Sequence, residues 1–441
     1  MTFDEAQVAM YRARTPRSKE LWERTKRYIP TGHAGGMGNF YPYPIVVERG
    51  DGCWLWDVDG NRYLDLRLGD WVLYNGYADE DVARAVADQI RKAAQVGAPE
   101  WDLGYRMAEL LVERTPSIDK VRFFVSGTDA NLTAIRLARA YTGRVKIARS
   151  EGGYHGTADE LIVGRSVLRP VDDILPVGVL PSAAADVYQI PYNDPDEAEA
   201  RIRKHAAETA AVIIEPVMTA AGMLEAQADF LQRLRDVTTE LDIVLIFDEV
   251  VTYPVAYGGA QTHFNITPDL TTLGKVIGGG LPVSAVGGRT EIMDLLEPDA
   301  HDGNAPLTIM STFGGNSASL AAGITTLEKL TPEVHSRVNA LGDRVRTAID
   351  ELGRRMNVPL HATGLGNLVG VHWAERRVVD DDTLRLDDRE KIRNINLVLC
   401  NAGYYQTFVG SFLLGSQLGD QEIDGFLYAF EKAIVTLGYA E

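Results

Sequence analysis

Short, continuous apolar runs alternate with helix-prone segments through the middle of the chain. The runs cover residues 121–125, 145–148, 211–214 and 243–247. Strands that are apolar on both faces and separated by helices are typical of a parallel sheet covered by helices on both sides. We therefore predict a large α/β domain over residues 79–325, with its ligand at the carboxyl ends of the strands.

The first 78 residues follow a different pattern. Residues 4–29 are charged and helix-prone, and a loop rich in glycine and aromatic residues continues to residue 44. Apolar and polar positions then alternate on either side of Asp59-Gly60-Asn61, which predicts an antiparallel hairpin with a tight turn. A calcium loop is the alternative, but it would need a third ligand before its glycine and a glutamate at its end, so the turn is favoured.

After residue 325 the pattern becomes that of a smaller α+β domain. A long amphipathic helix is followed by an apolar run at 367–372 and by a final helix at 420–437. No low-complexity linker interrupts the chain. We predict three closely associated parts, which are an N-terminal segment at 1–78 that joins the small domain, the large domain at 79–325, and the C-terminal small domain at 326–441.

Composition narrows the class of protein. The 441 residues are 45% hydrophobic, and the formal net charge of -18 comes from acidic residues scattered along the chain. Such a surface repels nucleic acid and anionic membranes, so neither partner is expected. The acidic start and the lack of a long apolar run predict a cytoplasmic protein. Cys53 and Cys400 form no metal or redox motif, so we expect free thiols and no metal site.

A lysine and an acid pair suggest the chemistry. One apolar run ends in Asp248-Glu249, and Lys275 opens a glycine-rich turn further along the chain. Pyridoxal 5′-phosphate (PLP) chemistry needs a lysine that forms an imine and an acid that keeps the pyridine nitrogen protonated. A lone lysine near glycines is usually a solvated surface charge. The combination indicates a PLP enzyme.

Three other strand ends carry groups that suit the same cofactor. Ser126-Gly127-Thr128 opens a helix, where N–H groups, hydroxyls and the helix dipole favour a phosphate, although a plain N-cap is the alternative. Tyr154 lies between glycines and could stack on the pyridine ring or be an ordinary buried tyrosine. Glu215 could orient the cofactor's phenolic oxygen through neighbouring side chains, or be only an acid at a strand end.

Together these motifs resemble the class III (subgroup II) PLP-dependent aminotransferases, in particular the glutamate-1-semialdehyde aminomutase-like branch. The resemblance implies fold type I, an α/β fold with a mainly parallel, seven-stranded type of sheet flanked by helices and a smaller α+β domain from the two termini. It extends from about residue 20 to the C-terminus and rests on residues 126–144, 153–156, 215–216, 247–250, 273–282, 287–289 and 311–313.

The resemblance also implies roles. Lys275 would form the internal aldimine and move the proton between substrate and cofactor, and Asp248 would pair with the pyridinium nitrogen. Tyr154 and Val250 would cover the two ring faces, while Thr312 would reach the phosphate of the neighbouring subunit of a homodimer. The implied catalytic residues are Lys275, Asp248 and Tyr154, and the implied cofactor-binding residues are Ser126, Gly127, Thr128, Tyr154, His155, Glu215, Asp248, Val250, Lys275 and Thr312.

The implied reaction moves an amino group from an amine donor, such as L-glutamate, to a carbonyl acceptor, with pyridoxamine 5′-phosphate (PMP) as intermediate. An aminomutase, which returns the amine to the same molecule, is the alternative within the family. A PLP-binding regulator or scaffold without catalysis is a third possibility. It is disfavoured because Lys275, Asp248 and the phosphate motif are all present.

The chain departs from the family where substrate would bind. Amino-acid-specific relatives place an arginine after the first helix or near the C-terminus to hold a carboxylate, but residues 31–41 and 404–412 contain none. These segments predict a hydroxylated, heterocyclic or sugar-like acceptor from specialised biosynthesis, unless Arg165 or Arg169 enters the cleft. The predicted substrate residues are His33, Asn39, Tyr41, Tyr405 and Gln406, together with Tyr43 just after the first segment and Thr407 in the second.

Overall fold

The computed structural model describes residues 4–35, 40–96, 100–165, 175–406 and 410–440. Contacts divide the chain into two compact units. Unit 1 comprises Met1–Asp79, Arg337–Val378 and Leu386–Glu441, and unit 2 comprises Glu80–Ser336 and Val379–Arg385. The domain bounds given by the sequence stay predictions.

The helices and strands of the described residues are numbered along the chain. The α-helices are α1 (Glu5–Arg14), α2 (Pro16–Thr25), α3 (Leu68–Trp71), α4 (Glu80–Lys92), α5 (Asp102–Arg114), α6 (Gly127–Thr142), α7 (Asp159–Ile162), α8 (Pro181–Ala185), α9 (Pro195–Lys204), α10 (Ala228–Glu240), α11 (Ala260–Phe264), α12 (Thr290–Met293), α13 (Ser317–Lys329), α14 (Pro332–Met356), α15 (Asp381–Leu384), α16 (Arg389–Asn401) and α17 (Asp420–Thr436). The strands are β1 (Val47–Asp51), β2 (Trp54–Asp57), β3 (Arg62–Asp65), β4 (Lys120–Phe124), β5 (Lys146–Ser150), β6 (Val187–Ile190), β7 (Thr209–Ile214), β8 (Val217–Met218), β9 (Leu224–Glu225), β10 (Val244–Asp248), β11 (Leu270–Leu273), β12 (Ser284–Gly288), β13 (Leu360–Thr363), β14 (Leu368–Trp373), β15 (Tyr404–Tyr405) and β16 (Ser411–Leu413).

Unit 2 is built on a seven-stranded sheet with the order β4-β12-β11-β10-β7-β5-β6. The pairs β11/β10, β10/β7, β7/β5 and β5/β6 are parallel, whereas β12 runs antiparallel to both of its neighbours. The predicted mainly parallel sheet is therefore confirmed. The four apolar runs correspond to β4, β5, β7 and β10 with small shifts at their ends.

The antiparallel strand β12 was not predicted, because its sequence Ser-Ala-Val-Gly-Gly has little β propensity. The glycines serve close packing. A Cβ on Gly288 would lie 2.4 Å from the Asp269 carbonyl oxygen, and one on Gly287 would lie 2.7 Å from Ile118. Close packing against a backbone carbonyl and a side chain thus overrides the local preference.

The core of unit 2 lies between this sheet and its helices. All six residues of β7 are buried, as expected for a central strand covered on both faces. Helix α6 presents Ala134 and Ala138 to the same cluster as Ile213 and Val286. Small residues one turn apart let the helix lie close to the sheet, which fixes the position of its N-terminus.

Unit 1 contains a four-stranded sheet, β1-β2-β3-β15, and a three-stranded sheet, β13-β14-β16. The predicted hairpin is formed by β2 and β3. Oδ1 of Asp57 accepts hydrogen bonds from the backbone N–H groups of Asp59 (3.0 Å) and Asn61 (2.8 Å), and Oδ2 accepts one from the Tyr63 hydroxyl (2.8 Å). The carboxylate therefore stabilises the turn, which supports the turn over the calcium loop.

Within the described residues, no helix is long and apolar enough to cross a membrane. Both cysteines are free thiols and buried, in agreement with the sequence expectation. Burial raises the pKa of Cys53 to about 11 and that of Cys400 to about 12.

We predict that neither thiol of the folded protein reacts with a thiol reagent at pH 8, because the reactive thiolate is scarce and the sulfur atoms are covered. A spectroscopic thiol titration should show two reactive groups per chain only after unfolding. Rapid reaction of either cysteine in the folded protein would contradict the burial described above.

Candidate active site

The predicted cofactor residues of unit 2 come from the carboxyl ends of its strands. Asp248 ends β10, Ser126 follows β4, Tyr154 and His155 follow β5, and Glu215 follows β7. Lys275 follows β11, the neighbour of β10. Since these strands run in the same direction, the chemistry-bearing side chains share one edge of the sheet.

Asp248 is only 5% exposed, and its carboxylate accepts hydrogen bonds from three other residues. Oδ2 accepts from Nδ1 of His155 at 2.9 Å and from Nδ2 of Asn131 at 2.8 Å. Oδ1 accepts from the backbone N–H of Val250 at 3.1 Å. Hydrogen bonds donated to a carboxylate favour its charged form, which is the form that can hold a pyridinium nitrogen.

Glu249, the second acid of the pair, has different hydrogen-bond partners. Glu249 is fully buried and accepts hydrogen bonds from the backbone N–H groups of Ala260 and Gln261 at the start of α11. Burial raises the pKa of Glu249. Because successive side chains of a strand point to opposite faces, only Asp248 is directed toward Asn131 and His155.

Ser126 is the N-cap of α6, a helix of 16 residues. Its hydroxyl accepts a hydrogen bond from the backbone N–H of Asp129 (3.2 Å) and donates one to Asp129 Oδ2 (2.8 Å). Ser126 therefore acts as an ordinary N-cap of α6, which was the alternative to a phosphate ligand. The first turn still offers N–H groups and the positive end of the dipole to a phosphate.

Val250 connects the phosphate motif with the lysine turn. A Cβ on Gly127 would lie 3.1 Å from Val250 Cγ2, and a Cβ on Gly274 would lie 3.1 Å from Val250 Cγ1. The two glycines therefore allow both loops to contact this side chain.

Lys275 has a φ of 49°, in the left-handed region that favours glycine. It begins a short 3-10 turn, Lys275–Gly278. A non-glycine residue in this conformation is strained, and such strain is concentrated at functional sites. The turn sets the direction in which the lysine leaves the end of β11.

Tyr154 and Glu215 are connected. The backbone N–H of Tyr154 donates to Glu215 Oε2 at 2.9 Å, and Thr219 donates to Oε1 from its backbone N–H (3.1 Å) and its hydroxyl (2.8 Å). Burial raises the pKa of Glu215. The carboxyl group thus anchors the loop that carries Tyr154, whose side chain is 39% exposed and open to stacking. This anchoring contact was not anticipated from the sequence.

Thr312 lines a pocket of about 770 Å³ that none of the other predicted cofactor residues lines. Its carbonyl oxygen accepts a hydrogen bond from Gln95 Nε2 at 2.6 Å. Beside it, Met310 is 86% exposed and Phe313 is 58% exposed. Adjacent exposed apolar side chains are a feature of protein–protein interfaces.

The predicted substrate residues belong to unit 1. Tyr405 stacks on Phe40 with ring centroids 5.9 Å apart, and Tyr41 is 42% exposed. Gln406 is buried, and its Nε2 donates to Asn396 Oδ1. Nδ1 of His33 lies close to the carbonyl oxygen of Gly35. Asn39, Thr407 and Arg169 lie outside the described residues.

Two arginines that could bind a substrate carboxylate are already paired with acidic residues. Arg165 is already bound to Glu151 (3.0 Å), Asp381 (3.2 Å) and Asp382 (2.6 Å), so binding a substrate carboxylate would require it to leave those partners. Arg67 of unit 1, which lies outside the two predicted substrate segments, donates from Nε to Asp70, and its side chain is 14% exposed.

Comparison with known proteins decides the family. The sequence profile of the class III aminotransferases matches residues 38–414. This chain belongs to that family. The resemblance inferred from the motifs is therefore confirmed, and the protein is a PLP-dependent aminotransferase.

Individual relatives cover nearly the whole chain. Glutamate-1-semialdehyde 2,1-aminomutase 1 of Listeria welshimeri is 36% identical over 432 residues, which cover 96% of this chain and 98% of that protein. Among solved structures, an omega-transaminase from Sphaerobacter thermophilus is 36% identical with a TM-score of 0.89, covering 95% of this chain and 97% of the other. A transaminase with PLP bound is 30% identical with a TM-score of 0.89, covering 96% and 98%.

Proposed function

We propose that this aminotransferase moves an amino group from a separate amine donor to a carbonyl acceptor, and that Lys275 and Asp248 carry the chemistry. The observation that supports these roles best is the buried Asp248 carboxylate with its three donors, on the strand next to the one that Lys275 follows. Bound PLP supplies the electron sink that allows a C–H bond beside the amine to be ionised.

The other residues would bind and orient the cofactor. The first turn of α6, with Ser126, Gly127 and Thr128, would hold the phosphate. Tyr154 would cover one ring face and Val250 the other, while Glu215 keeps Tyr154 in place. Lys275 would hold the cofactor through its amine and, once the substrate amine has replaced it there, would move the proton between substrate and cofactor.

An aminomutase is the second candidate, because the curated relative from Listeria welshimeri bears that name. The similarity to an omega-transaminase supports a transferase with two substrates. For the acceptor we propose a neutral, hydroxylated, heterocyclic or sugar-like carbonyl compound of specialised biosynthesis, on the basis of the polar and aromatic side chains in unit 1. L-Glutamate is the proposed donor.

The proposed assembly is a cytoplasmic homodimer. Thr312 would reach the phosphate site of the partner subunit, and the exposed side chains of Met310 and Phe313 would be covered by the second copy. A small-molecule donor and acceptor are the remaining partners.

We predict that Lys275→Ala abolishes the absorption of lysine-linked cofactor, because only this amine would form the imine.

Asp248→Asn should reduce the rate of the amine half-reaction by about 10²-fold or more with milder loss of cofactor, since an amide does not hold the ring nitrogen protonated. The measurements are visible spectra and single-turnover kinetics. Near-normal rates of Asp248→Asn would remove Asp248 from the proposal.

We predict that the purified enzyme, when mixed with its amine donor alone, releases the keto acid of that donor. The reason is that a transferase completes its first half-reaction without the acceptor. Product release is followed by mass spectrometry, with Lys275→Ala as the inactive control. Efficient isomerisation of glutamate-1-semialdehyde without any donor would instead identify an aminomutase. A strong preference for α-keto or β-keto acids over neutral carbonyl compounds would contradict the proposed acceptor class.

We predict that Phe313→Glu produces monomers with weakened cofactor retention, because a charge would be buried at the proposed interface. Thr312→Val should remain dimeric and lose cofactor faster than the wild type. The matched control is Tyr428→Glu, which alters an exposed aromatic residue of α17 in unit 1. Sedimentation that shows an active wild-type monomer at assay concentration would refute the dimer.

A further inference from the structure

Asn131 is a buried amide on the second turn of α6 with all of its main hydrogen-bonding groups in use. Nδ2 donates to Asp248 Oδ2 at 2.8 Å and to the carbonyl oxygen of His155 at 3.0 Å. Oδ1 accepts from the Thr272 hydroxyl at 2.6 Å. The amide therefore links the helix, the loop after β5 and the two adjacent strands β10 and β11.

The two partners that can only accept, the Asp248 carboxylate and the His155 carbonyl, specify one orientation of the amide. If its ends were exchanged, Oδ1 would face the Asp248 carboxylate and the His155 carbonyl, which are both acceptors, and Asp248 would lose a donor. The Thr272 hydroxyl satisfies Oδ1 on the opposite side. A donor on the carbonyl end of an amide also polarises its N–H groups, which strengthens the hydrogen bonds that they donate.

The position of Thr272 is set by the sheet. Thr272 is fully buried, and it is the register partner of Asp248 in the parallel pair β10/β11. Its backbone carbonyl accepts from the N–H of Glu249 at 2.9 Å. The hydroxyl that fixes Asn131 and the carboxylate that Asn131 contacts are thus held by the same ladder of hydrogen bonds.

We propose that Asn131 is a positioning residue for Asp248 and that the Thr272 hydroxyl locks the Asn131 amide in the orientation that donates to it. The inference rests on the proposed role of Asp248 as partner of the cofactor's ring nitrogen. Asn131 and His155 share Oδ2, so the buried carboxylate is held from two sides. Replacement of Asn131 would leave this oxygen with one donor and free the carboxylate to turn.

The test uses enzyme reconstituted with PLP labelled with ¹⁵N in the ring, so that NMR reports the protonation of that nitrogen directly. Asn131→Leu should shift the ring signal toward that of an unprotonated pyridine and lower kcat of the amine half-reaction about tenfold, with cofactor retained. Thr272→Val should shift the signal in the same direction by a smaller amount, because the amide stays but is no longer fixed. Thr272→Ser, which restores the hydroxyl, should behave like the wild type.

Thr271→Val is the matched control. Thr271 is the adjacent residue of β11, is equally buried, and has a hydroxyl bonded to Ser117 Oγ at 2.7 Å and to Gln261 Nε2 at 3.2 Å, rather than to Asn131. Its replacement should lower the melting temperature as Thr272→Val does but leave the ring signal unchanged. Equal shifts in the two valine variants would show a general packing effect and overturn the proposal.

The remaining outcomes are also decisive. If Asp248→Asn moves the ring signal and Thr272→Val does not, the role of Asp248 stands, but the proposed fixing of Asn131 by the Thr272 hydroxyl fails. If Asp248→Asn leaves the signal unchanged, the proposed role of Asp248 itself fails. Should Asn131→Leu not fold, the comparison of Thr272→Val, Thr272→Ser and Thr271→Val decides the question alone.

Discussion

The need to stabilise a buried negative charge at the end of β10 determines the arrangement of unit 2. An unpaired carboxylate in such a place costs several kcal/mol. Asp248 avoids this cost through donors from three parts of the chain, which are Val250 just beyond it, His155 after β5 and Asn131 on α6. The strand order and the packing of α6 on the sheet are what bring these donors together.

The same arrangement explains the glycines around the site. Val250 follows the acid pair directly, and its side chain contacts the positions of Gly127 and Gly274. A side chain at either glycine would push the phosphate motif or the lysine turn away from the end of β10. Close approach of these loops, rather than flexibility of the chain, is therefore the reason for glycine at both positions.

The sequence predicted what is local and periodic. The apolar runs located β4, β5, β7 and β10, and the polar residues directly after them located the candidate site, because strand ends in a parallel sheet share an edge. It did not predict β12, where the close packing of Gly287 and Gly288 outweighs weak β propensity. Contacts between distant residues were also missed. Asn131 and Thr272 are 141 positions apart, and no local pattern indicates that they meet.

Polar residues were the least reliable guides to the substrate. Gln406 lies in a segment with the composition of a binding loop, yet its side chain is buried and hydrogen-bonded to Asn396. Arg165 could have been a carboxylate ligand, yet Glu151, which precedes it after β5, and Asp381 and Asp382 in α15 already bind it. Whether a polar side chain is available to a ligand depends on long-range partners, which composition does not reveal.

The residues proposed for the chemistry all belong to unit 2, whereas the predicted substrate residues His33, Tyr41, Tyr405 and Gln406 belong to unit 1. The three residues that donate hydrogen bonds to Asp248 all belong to unit 2. This separation explains why motifs of one family can be recognised in a single sequence while its substrate cannot. The proposed chemistry thus rests on a few contacts within one compact unit, whereas the proposed acceptor rests on side chains outside that unit.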